Sequence, residues 1–153
     1  MPKSAGLLPY RMRRDGVEVF LVHPGGPFWA ACDDGTWSIC KGEFSADEDP
    51  MDAARREFLE ETGLSIEGNF RPLQPIRQRG GKVVYAWSVP CEKLDAAAIT
   101  SNTFSMEWPP KSGRKQQFPE IDRAAWFPIA EARRKILKGQ LSLLDQLQNQ
   151  LSD

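Results

Sequence analysis

The sequence holds few of the residues that form disulfides or bind soft metals. It contains one histidine, His23, and three cysteines, Cys32, Cys40 and Cys91. The cysteines are odd in number and lack C-x-x-C spacing, so neither a disulfide framework nor a structural zinc site is expected. We expect the thiols to be reduced and to pack as small hydrophobic side chains.

The sequence also lacks an excess of one charge and a long apolar segment. Twenty Lys and Arg residues face 21 Asp and Glu residues, which gives a formal net charge of −1. Such a chain has no overall basic field, so neither a long nucleic-acid partner nor a membrane partner is expected. No apolar run approaches the roughly 18 residues of a transmembrane helix, and the N-terminus shows no signal-peptide pattern. We therefore expect a cytoplasmic location.

The residues that are present support one globular domain. Of the 153 residues, 41% are hydrophobic, which is enough to bury a core. The sequence contains no internal repeats and no low-complexity segments. We therefore expect a single domain over residues 1–153, either monomeric or homodimeric.

Apolar and β-branched segments bounded by turn residues predict the strands. The predicted strands are residues 4–11, 17–24, 36–39, 66–78, 82–90, 102–108 and 123–129. Residues 92–99 are predicted as a short helix or turn, and the polar segment 109–120 as a surface loop. The tail 130–150 is predicted to be helical, with inward positions at Ile136, Leu141, Leu144 and Leu147. Elements in this order predict an α/β fold, a mixed sheet with helices on both faces.

The stretch of residues 42–64, GEFSADEDPMDAARREFLEETGL, carries the densest group of carboxylates in the chain. A helix is predicted from about Pro50 to Thr62. Asp49 is suited to cap its N-terminus, proline is favoured at the first helical position, and Gly63 is suited to end it.

Glu57, Glu60 and Glu61 lie on one side of this predicted helix, roughly a quarter turn from its apolar face. Like charges three or four residues apart each destabilise a helix by roughly 0.2–0.5 kcal/mol, so local stability does not account for the triplet. The face is either a solvated acidic surface or a site for a hard dication. Oxygen ligands without histidine or cysteine nearby suit Mg²⁺ or Mn²⁺.

The spacing of this segment resembles the Nudix box, G-x5-E-x7-R-E-U-x-E-E-x-G-U, in which U is apolar. The residues that fill its specified positions are Gly42, Glu48, Arg56, Glu57, Phe58, Glu60, Glu61, Gly63 and Leu64. The chain thus resembles the Nudix (MutT-like) hydrolase family. The resemblance implies an α/β/α sandwich and Mg²⁺- or Mn²⁺-dependent hydrolysis of a pyrophosphate linkage. The linkage is expected in a nucleoside diphosphate joined to another moiety.

The resemblance also implies roles for individual residues. Arg56 is expected to orient the carboxylates, and Glu48 to fix the loop before the helix. One departure from the family is Cys40, which stands where many relatives with this Lys-Gly entry have proline. The expected metal ligands are Glu57, Glu60, Glu61 and a backbone carbonyl near Lys41 or Gly42.

The general base is an open choice, because family members take it either from the box or from a later loop. Glu57 is the first candidate and Glu120, within QQFPEIDR, the second. Asp122 follows them. For Glu120 the alternative is an ordinary surface carboxylate.

Local cations and aromatic residues are candidates for substrate binding, with surface solubility or rim packing as the alternative. Flexible cations suit a polyphosphate chain, and aromatic rings can stack on a base. The candidates are Phe28, Trp29, Lys41, Arg77, Lys111, Arg114 and Lys115. Two further cations, Arg79 and Lys82, and a further aromatic residue, Trp108, lie close to them in the sequence.

These features favour a small-molecule nucleoside polyphosphate as substrate, either a nucleoside triphosphate or a dinucleoside polyphosphate of the diadenosine tetraphosphate type. Two other functions stay open. The first is a non-catalytic nucleotide sensor or protein-binding module, which would be expected to lose box glutamates. The second is removal of pyrophosphate from RNA 5′ ends, which would require a basic patch assembled from distant segments.

Overall fold

The computed structural model describes residues 2–152, and nearly all of its strands belong to one sheet. In chain order the strands are β1 Lys3–Arg13, β2 Gly16–Pro24, β3 Cys40–Glu43, β4 Arg71–Pro72, β5 Ile76–Arg77, β6 Val83–Pro90, β7 Thr103–Glu107, β8 Lys115–Pro119 and β9 Ile121–Pro128. The helices are α1 Pro50–Thr62, α2 Ile129–Lys135 and α3 Leu141–Ser152, with short 3₁₀ turns at Arg79–Gly81, Ala96–Ala98 and Lys138–Gln140.

The main sheet is mixed and runs in the order β4-β6-β1-β2-β9, with β3 paired to β1 and β5 to β6. Only the central pair β1 and β6 is parallel. On its other edge β1 pairs with β3 along residues 4–7 and with β2 along residues 10–13. The sheet therefore forks at β1, and the start of β3 lies at the fork.

Alternate residues of β1 enter two separate cores, one on each face of the sheet. Leu8 and Tyr10 pack with side chains of α2 and α3, whereas Ala5 and Leu7 pack with side chains of α1. This alternation follows from the two-residue period of a strand. The prediction of an α/β/α arrangement with a mixed sheet is confirmed. None of the helices within residues 2–152 is both long and apolar enough to cross a membrane.

The prediction for the carboxylate-rich helix is confirmed, because its boundaries are set by local chemistry. The Asp49 side chain accepts a hydrogen bond from the Asp52 N–H at 3.1 Å, which caps the N-terminus. At the other end Gly63 has φ 73°, the left-handed conformation that favours glycine, and its N–H donates to the Leu59 carbonyl.

Two strand predictions are wrong in their extent. Residues 36–39 form only isolated bridges, and the strand lies instead at Cys40–Glu43. The Ile39 N–H donates to the Gln140 side chain at 3.0 Å rather than to a neighbouring strand. The segment 66–78 is reduced to the two short strands β4 and β5, since prolines within it remove ladder hydrogen bonds.

The predicted surface loop 109–120 is also wrong in part. Residues 115–119 form β8, which pairs with β7 in a separate antiparallel hairpin. The pair is stabilised by contact between the rings of Phe104 and Phe118, whose centroids are 6.0 Å apart. The hairpin lies outside the main sheet, so most side chains of β8 are exposed and polar. This polarity is why the sequence predicted a loop.

The helical prediction for residues 130–150 is interrupted. Ile136 is extended, with φ −76° and ψ 150°, and the chain re-enters a helix only at Leu141. The Leu137 N–H donates to the Trp37 carbonyl at 2.8 Å, so a tertiary contact replaces the helical bond. Ile136, Leu144 and Leu147 are nevertheless buried, as predicted, whereas Leu141 is half-buried.

Candidate active site

Helix α1 carries the carboxylates to the strand that precedes it. Its buried residues Ala53, Ala54 and Phe58 pack in the core between α1 and the sheet, and this packing directs Glu57 at β3. A Cβ on Gly42 would lie only 1.9 Å from a Glu57 carboxylate oxygen. Only glycine lets the backbone of β3 and this carboxylate approach so closely.

A cavity of about 630 Å³ opens at this point. Carboxylates from α1, from β3 and from the residue before β9 meet there with a lysine of β3 and the lysine just before β6. The residues used below that line it are Ser4, Trp29, Lys41, Gly42, Glu43, Glu57, Glu61, Lys82 and Glu120.

The carboxylates in the cavity are poor in compensating positive charge. Burial raises the pKa of Glu61 from 4.5 to about 7, and the neighbouring charges of Glu120, Glu57 and Glu60 contribute to this rise. Burial also raises the pKa of Glu57, although the hydrogen bond from Arg56 opposes the shift. The repulsion among these neighbouring carboxylates, which adds to the effect of burial, would be relieved by a bound cation.

Arg56 holds three carboxylates together. Its guanidinium donates to both oxygens of Glu48 at 2.8 and 2.9 Å, and also donates to Glu57 at 2.8 Å and Glu60 at 3.1 Å. The pKa of Arg56 is raised, first by the bonds to Glu48, and the pKa of Glu48 is lowered by the same contact. The bidentate pair anchors the loop before α1 to the helix itself.

The donors of this site fit a hard dication in their chemistry. Within residues 2–152, no group of three or more His, Cys, Asp or Glu side chains is arranged to hold a metal ion. Glu57 and Glu61 line the cavity, whereas Glu60 is exposed and bonded to Arg56. The all-oxygen chemistry of these carboxylates suits Mg²⁺ or Mn²⁺.

The structure brings some of the predicted substrate residues to the cavity and leaves others outside it. Trp29 and Lys41 line it. Phe28 is 63% exposed and packs edge-on against Trp108, with ring centroids 5.5 Å apart. Phe28 does not line the cavity, and neither do Arg77 in β5 and the three cations Lys111, Arg114 and Lys115 of the β7–β8 hairpin.

Ser4 was not identified from the sequence, and Lys82 was named only as a cation that accompanies the substrate-binding candidates. Ser4 is fully buried on β1 and lines the cavity, and Lys82 lines it just before β6. The one signal for Ser4 in the sequence is a polar residue at the start of an apolar strand. Its neighbours across the sheet come from residues about 40 and 80 positions away, as the pairs with Glu43 and Val84 show.

His23 and Cys40 are structural rather than exposed groups. The two ring nitrogens of the buried His23 lie 2.8 Å from the Asp122 carboxylate and 2.7 Å from the Cys32 carbonyl. These two contacts fix the orientation of the ring between the two segments. Cys40 is 1% exposed, and burial raises the pKa of its thiol well above the usual range. The thiol is therefore neutral and packs as a hydrophobic group.

The family model of the NUDIX domain matches residues 2–147. The chain therefore belongs to the Nudix domain family, a family of hydrolases that generally cleave pyrophosphate linkages of nucleotides. None of the curated proteins compared with the sequence matches it.

Solved structures share the fold. The chain is similar to a C. elegans Ap4A hydrolase in a binary complex, with a TM-score of 0.68 and 22% identity over 99% of this chain and 98% of that one. It is similar to the NUDIX domain of Shewanella oneidensis NrtR complexed with ADP ribose, with a TM-score of 0.63 and 18% identity over 97% and 87% of the two chains. It is also similar to a mutT/nudix family protein from Listeria innocua, with a TM-score of 0.64 and 15% identity over 99% of this chain and 94% of that one. At these identities the likeness concerns the fold alone.

Proposed function

We propose that this chain is a Mg²⁺- or Mn²⁺-dependent pyrophosphohydrolase that acts on a nucleoside diphosphate linked to another moiety. The observation that carries the proposal is the meeting of Glu57, Glu61 and Glu120 at one cavity, with the whole box present around them. Membership of the Nudix family supports it. The preferred substrate class is a dinucleoside polyphosphate or a nucleoside triphosphate.

The proposed chemistry needs a water in line with phosphorus and neutralisation of the phosphate oxygens. A metal ion bound here would lower the pKa of that water and offset the phosphate charge. Arg56 donates to both Glu57 and Glu60 and so holds these two carboxylates near each other. The proposed ligands are Glu57, Glu60, Glu61 and the backbone carbonyl of Lys41 or Gly42.

For the general base, Glu57 is our first candidate and Glu120 the second. Glu57 is buried and oriented by Arg56, whereas Glu120 is exposed at the cavity and close enough to raise the pKa of Glu61. Replacing the base by glutamine should lower kcat by roughly 10²–10⁴-fold and remove the acidic limb of the pH–rate profile. Because Glu57 is also a proposed metal ligand, Glu120→Gln is the deciding variant: loss of the acidic limb would assign the base to Glu120, and its retention would leave Glu57 as the base.

The cavity alone favours a short phosphate chain with a stacked base. Trp29 and Lys41 line it, and we propose that they contact the base and the phosphates. Phe28 and Arg77 would contact only parts of the substrate that extend past the cavity. The hairpin cations would do the same. Lys115 begins β8 and lies roughly 13 Å along the strand from Pro119, the residue before Glu120 at the cavity.

These outer contacts can be tested by substrate length. The variant with Lys111, Arg114 and Lys115 changed together to Ala should raise KM for diadenosine tetraphosphate more than for ATP, with kcat unchanged. If the variant had the same KM as the wild type for each of the two substrates, the three cations would be assigned to solubility.

A non-catalytic nucleotide sensor on the same fold is the alternative that experiment must separate from the enzyme. A sensor would bind nucleotides with the same affinity in Mg²⁺ and in EDTA, whereas the proposed enzyme would not.

The deciding experiment is hydrolysis by the purified chain in Mg²⁺, repeated in Mn²⁺. The panel consists of diadenosine polyphosphates, nucleoside triphosphates, ADP-ribose, NADH and capped RNA, with products separated by chromatography. The control is the Glu57→Gln/Glu61→Gln double variant, which should be inactive on any substrate that the wild type cleaves. No cleavage across the panel, with nucleotide binding retained, would overturn the proposal in favour of the sensor.

A further inference from the structure

The buried hydroxyl of Ser4 has no hydrogen-bond partner within the part of the chain that the structure describes. Its side chain is 0% exposed, yet the residue lines the cavity. Buried hydroxyls are almost always hydrogen-bonded, so an unpaired hydroxyl at a cavity indicates a partner outside the chain. Ser88, on β6, shows the usual case, since its equally buried hydroxyl donates to Gln150 at 2.6 Å.

Two lysines lie on the same face of the sheet as Ser4. In the β1–β3 ladder Ser4 pairs with Glu43 and Gly6 with Lys41, so these four positions share a face. A Cβ on Gly6 would lie 2.6 Å from the Cβ of Lys41, and glycine there leaves space for the lysine stem. Lys82 reaches the same place from β6, two residues before the partner of Ser4 in that strand.

The charges at this end of the cavity do not cancel. Lys82 lies 3.5 Å from the Glu43 carboxylate, whereas Lys41 forms no salt bridge with any residue that the structure describes. Two lysines against one glutamate leave a net positive charge beside an unpaired hydroxyl. The carboxylates Glu57 and Glu61 line another part of the same cavity. Glu57 packs at Gly42, the residue after Lys41, and successive residues of a strand face opposite sides, so the lysines and this carboxylate lie on different sides of β3.

We propose that Ser4, Lys41 and Lys82 form a binding site for a phosphoryl group of the substrate other than the one attacked. The inference rests on the proposed function. Lysine ammonium groups act as point charges that suit the oxygens of a tetrahedral phosphate, whereas a planar carboxylate is better matched by arginine. The hydroxyl of Ser4 donates the remaining hydrogen bond. A substrate with several phosphates spans both groups of charges.

The site can be tested without metal or turnover. Inorganic phosphate is titrated in EDTA into ¹⁵N-labelled wild type, Ser4→Ala and Lys82→Gln, and binding is followed by amide chemical shifts. We expect shifts around Ser4 and Lys41 in the wild type, and affinities about 5-fold weaker in Ser4→Ala and at least 10-fold weaker in Lys82→Gln. Ser88→Ala and Lys93→Gln, which change a paired buried serine and an exposed lysine outside the cavity, should bind as the wild type does.

Absence of phosphate binding to the wild type would overturn the inference, and so would unchanged binding in Ser4→Ala and Lys82→Gln. A lower melting temperature of Ser4→Ala with unchanged binding would assign the hydroxyl to a structural water. Loss of phosphate binding in the variants supports the site even if no substrate is hydrolysed. Hydrolysis with unchanged KM in both variants would remove the site and leave the proposed function in place.

Discussion

At the scale of single residues, Gly42 is the position where sequence, backbone and carboxylate depend on one another most closely. Because a Cβ there would lie 1.9 Å from a Glu57 carboxylate oxygen, Gly42→Ala must displace that side chain. A displacement of about 1 Å in such a site costs roughly 10²-fold in rate, so we expect kcat to fall at least that far with the fold retained. The measurement is steady-state kinetics together with circular dichroism.

Gly139→Ala is the matched control for this change. A Cβ at Gly139 would meet only Gln78 at 3.7 Å, an ordinary contact. The control should keep both activity and stability, and a Gly42→Ala enzyme as active as the control would contradict the placement of Glu57 at the reacting centre.

Glu61 makes the stability of the metal-free protein depend on pH. Its pKa is raised from 4.5 to about 7, so the folded state holds the proton more tightly than the unfolded chain does. The resulting stability is fully present below pH 4.5 and is lost as the pH rises through about 7. Glu61→Gln removes this dependence, and we expect the variant to be more stable than the wild type at pH 8 in EDTA.

The measurement for Glu61 is urea unfolding at pH 5 and pH 8, in EDTA, of the wild type and the variant. Glu131→Gln serves as a control, because Glu131 belongs to α2 and does not line the cavity. Equal changes of unfolding free energy with pH in the wild type and Glu61→Gln would show that Glu61 is not the responsible group.

At the scale of elements, His23 ties β2 to its neighbours. Its ring links the Cys32 carbonyl, in the loop that carries Trp29, to Asp122 at the start of β9, two residues from Glu120. It also packs edge-on against Trp37, with ring centroids 5.1 Å apart. His23→Ala removes two hydrogen bonds and leaves a cavity, so we expect the unfolding free energy to fall by about 2–4 kcal/mol.

Asp122→Ala should cost less than His23→Ala, since the Asp122 side chain is 29% exposed and water can replace its contact. Guanidinium unfolding of both variants measures the difference. A loss below about 1 kcal/mol for His23→Ala would mean that the two bonds contribute little to stability.

Elements also differ in how far their sequence defines them. Helix α1 could be predicted to the residue because Asp49, Pro50 and Gly63 determine its ends through contacts within the helix. The C-terminal helix could not, because its interruption at Ile136 depends on the hydrogen bond from the next residue, Leu137, to Trp37, 100 positions before Leu137. In the candidate site the same distinction holds. The box could be recognised along the chain, whereas the presence of Ser4 and Lys82 at the same cavity as Glu57 depends on how the strands pair.

At the scale of the whole molecule, cation binding should be coupled to folding. The carboxylates come from α1 and from the segment before β9, and they converge only in the folded chain. Mg²⁺ should therefore stabilise the protein by about 2.7 kcal/mol at 100 times its Kd, which raises Tm by roughly 5–10 °C in a chain of this size. Thermal melting in EDTA and in increasing Mg²⁺ measures the effect.

The coupling should separate Glu61, which lines the cavity, from Glu60, which is exposed and held by Arg56. We expect Glu61→Gln to abolish most of the Mg²⁺-dependent rise in Tm and Glu60→Gln to reduce it, with both variants losing far more kcat than stability. Glu67→Gln, an exposed carboxylate bonded to Arg55, should respond as the wild type does. A full rise in Tm and full activity at saturating Mg²⁺ in Glu60→Gln or Glu61→Gln would remove that residue from the proposed ligands.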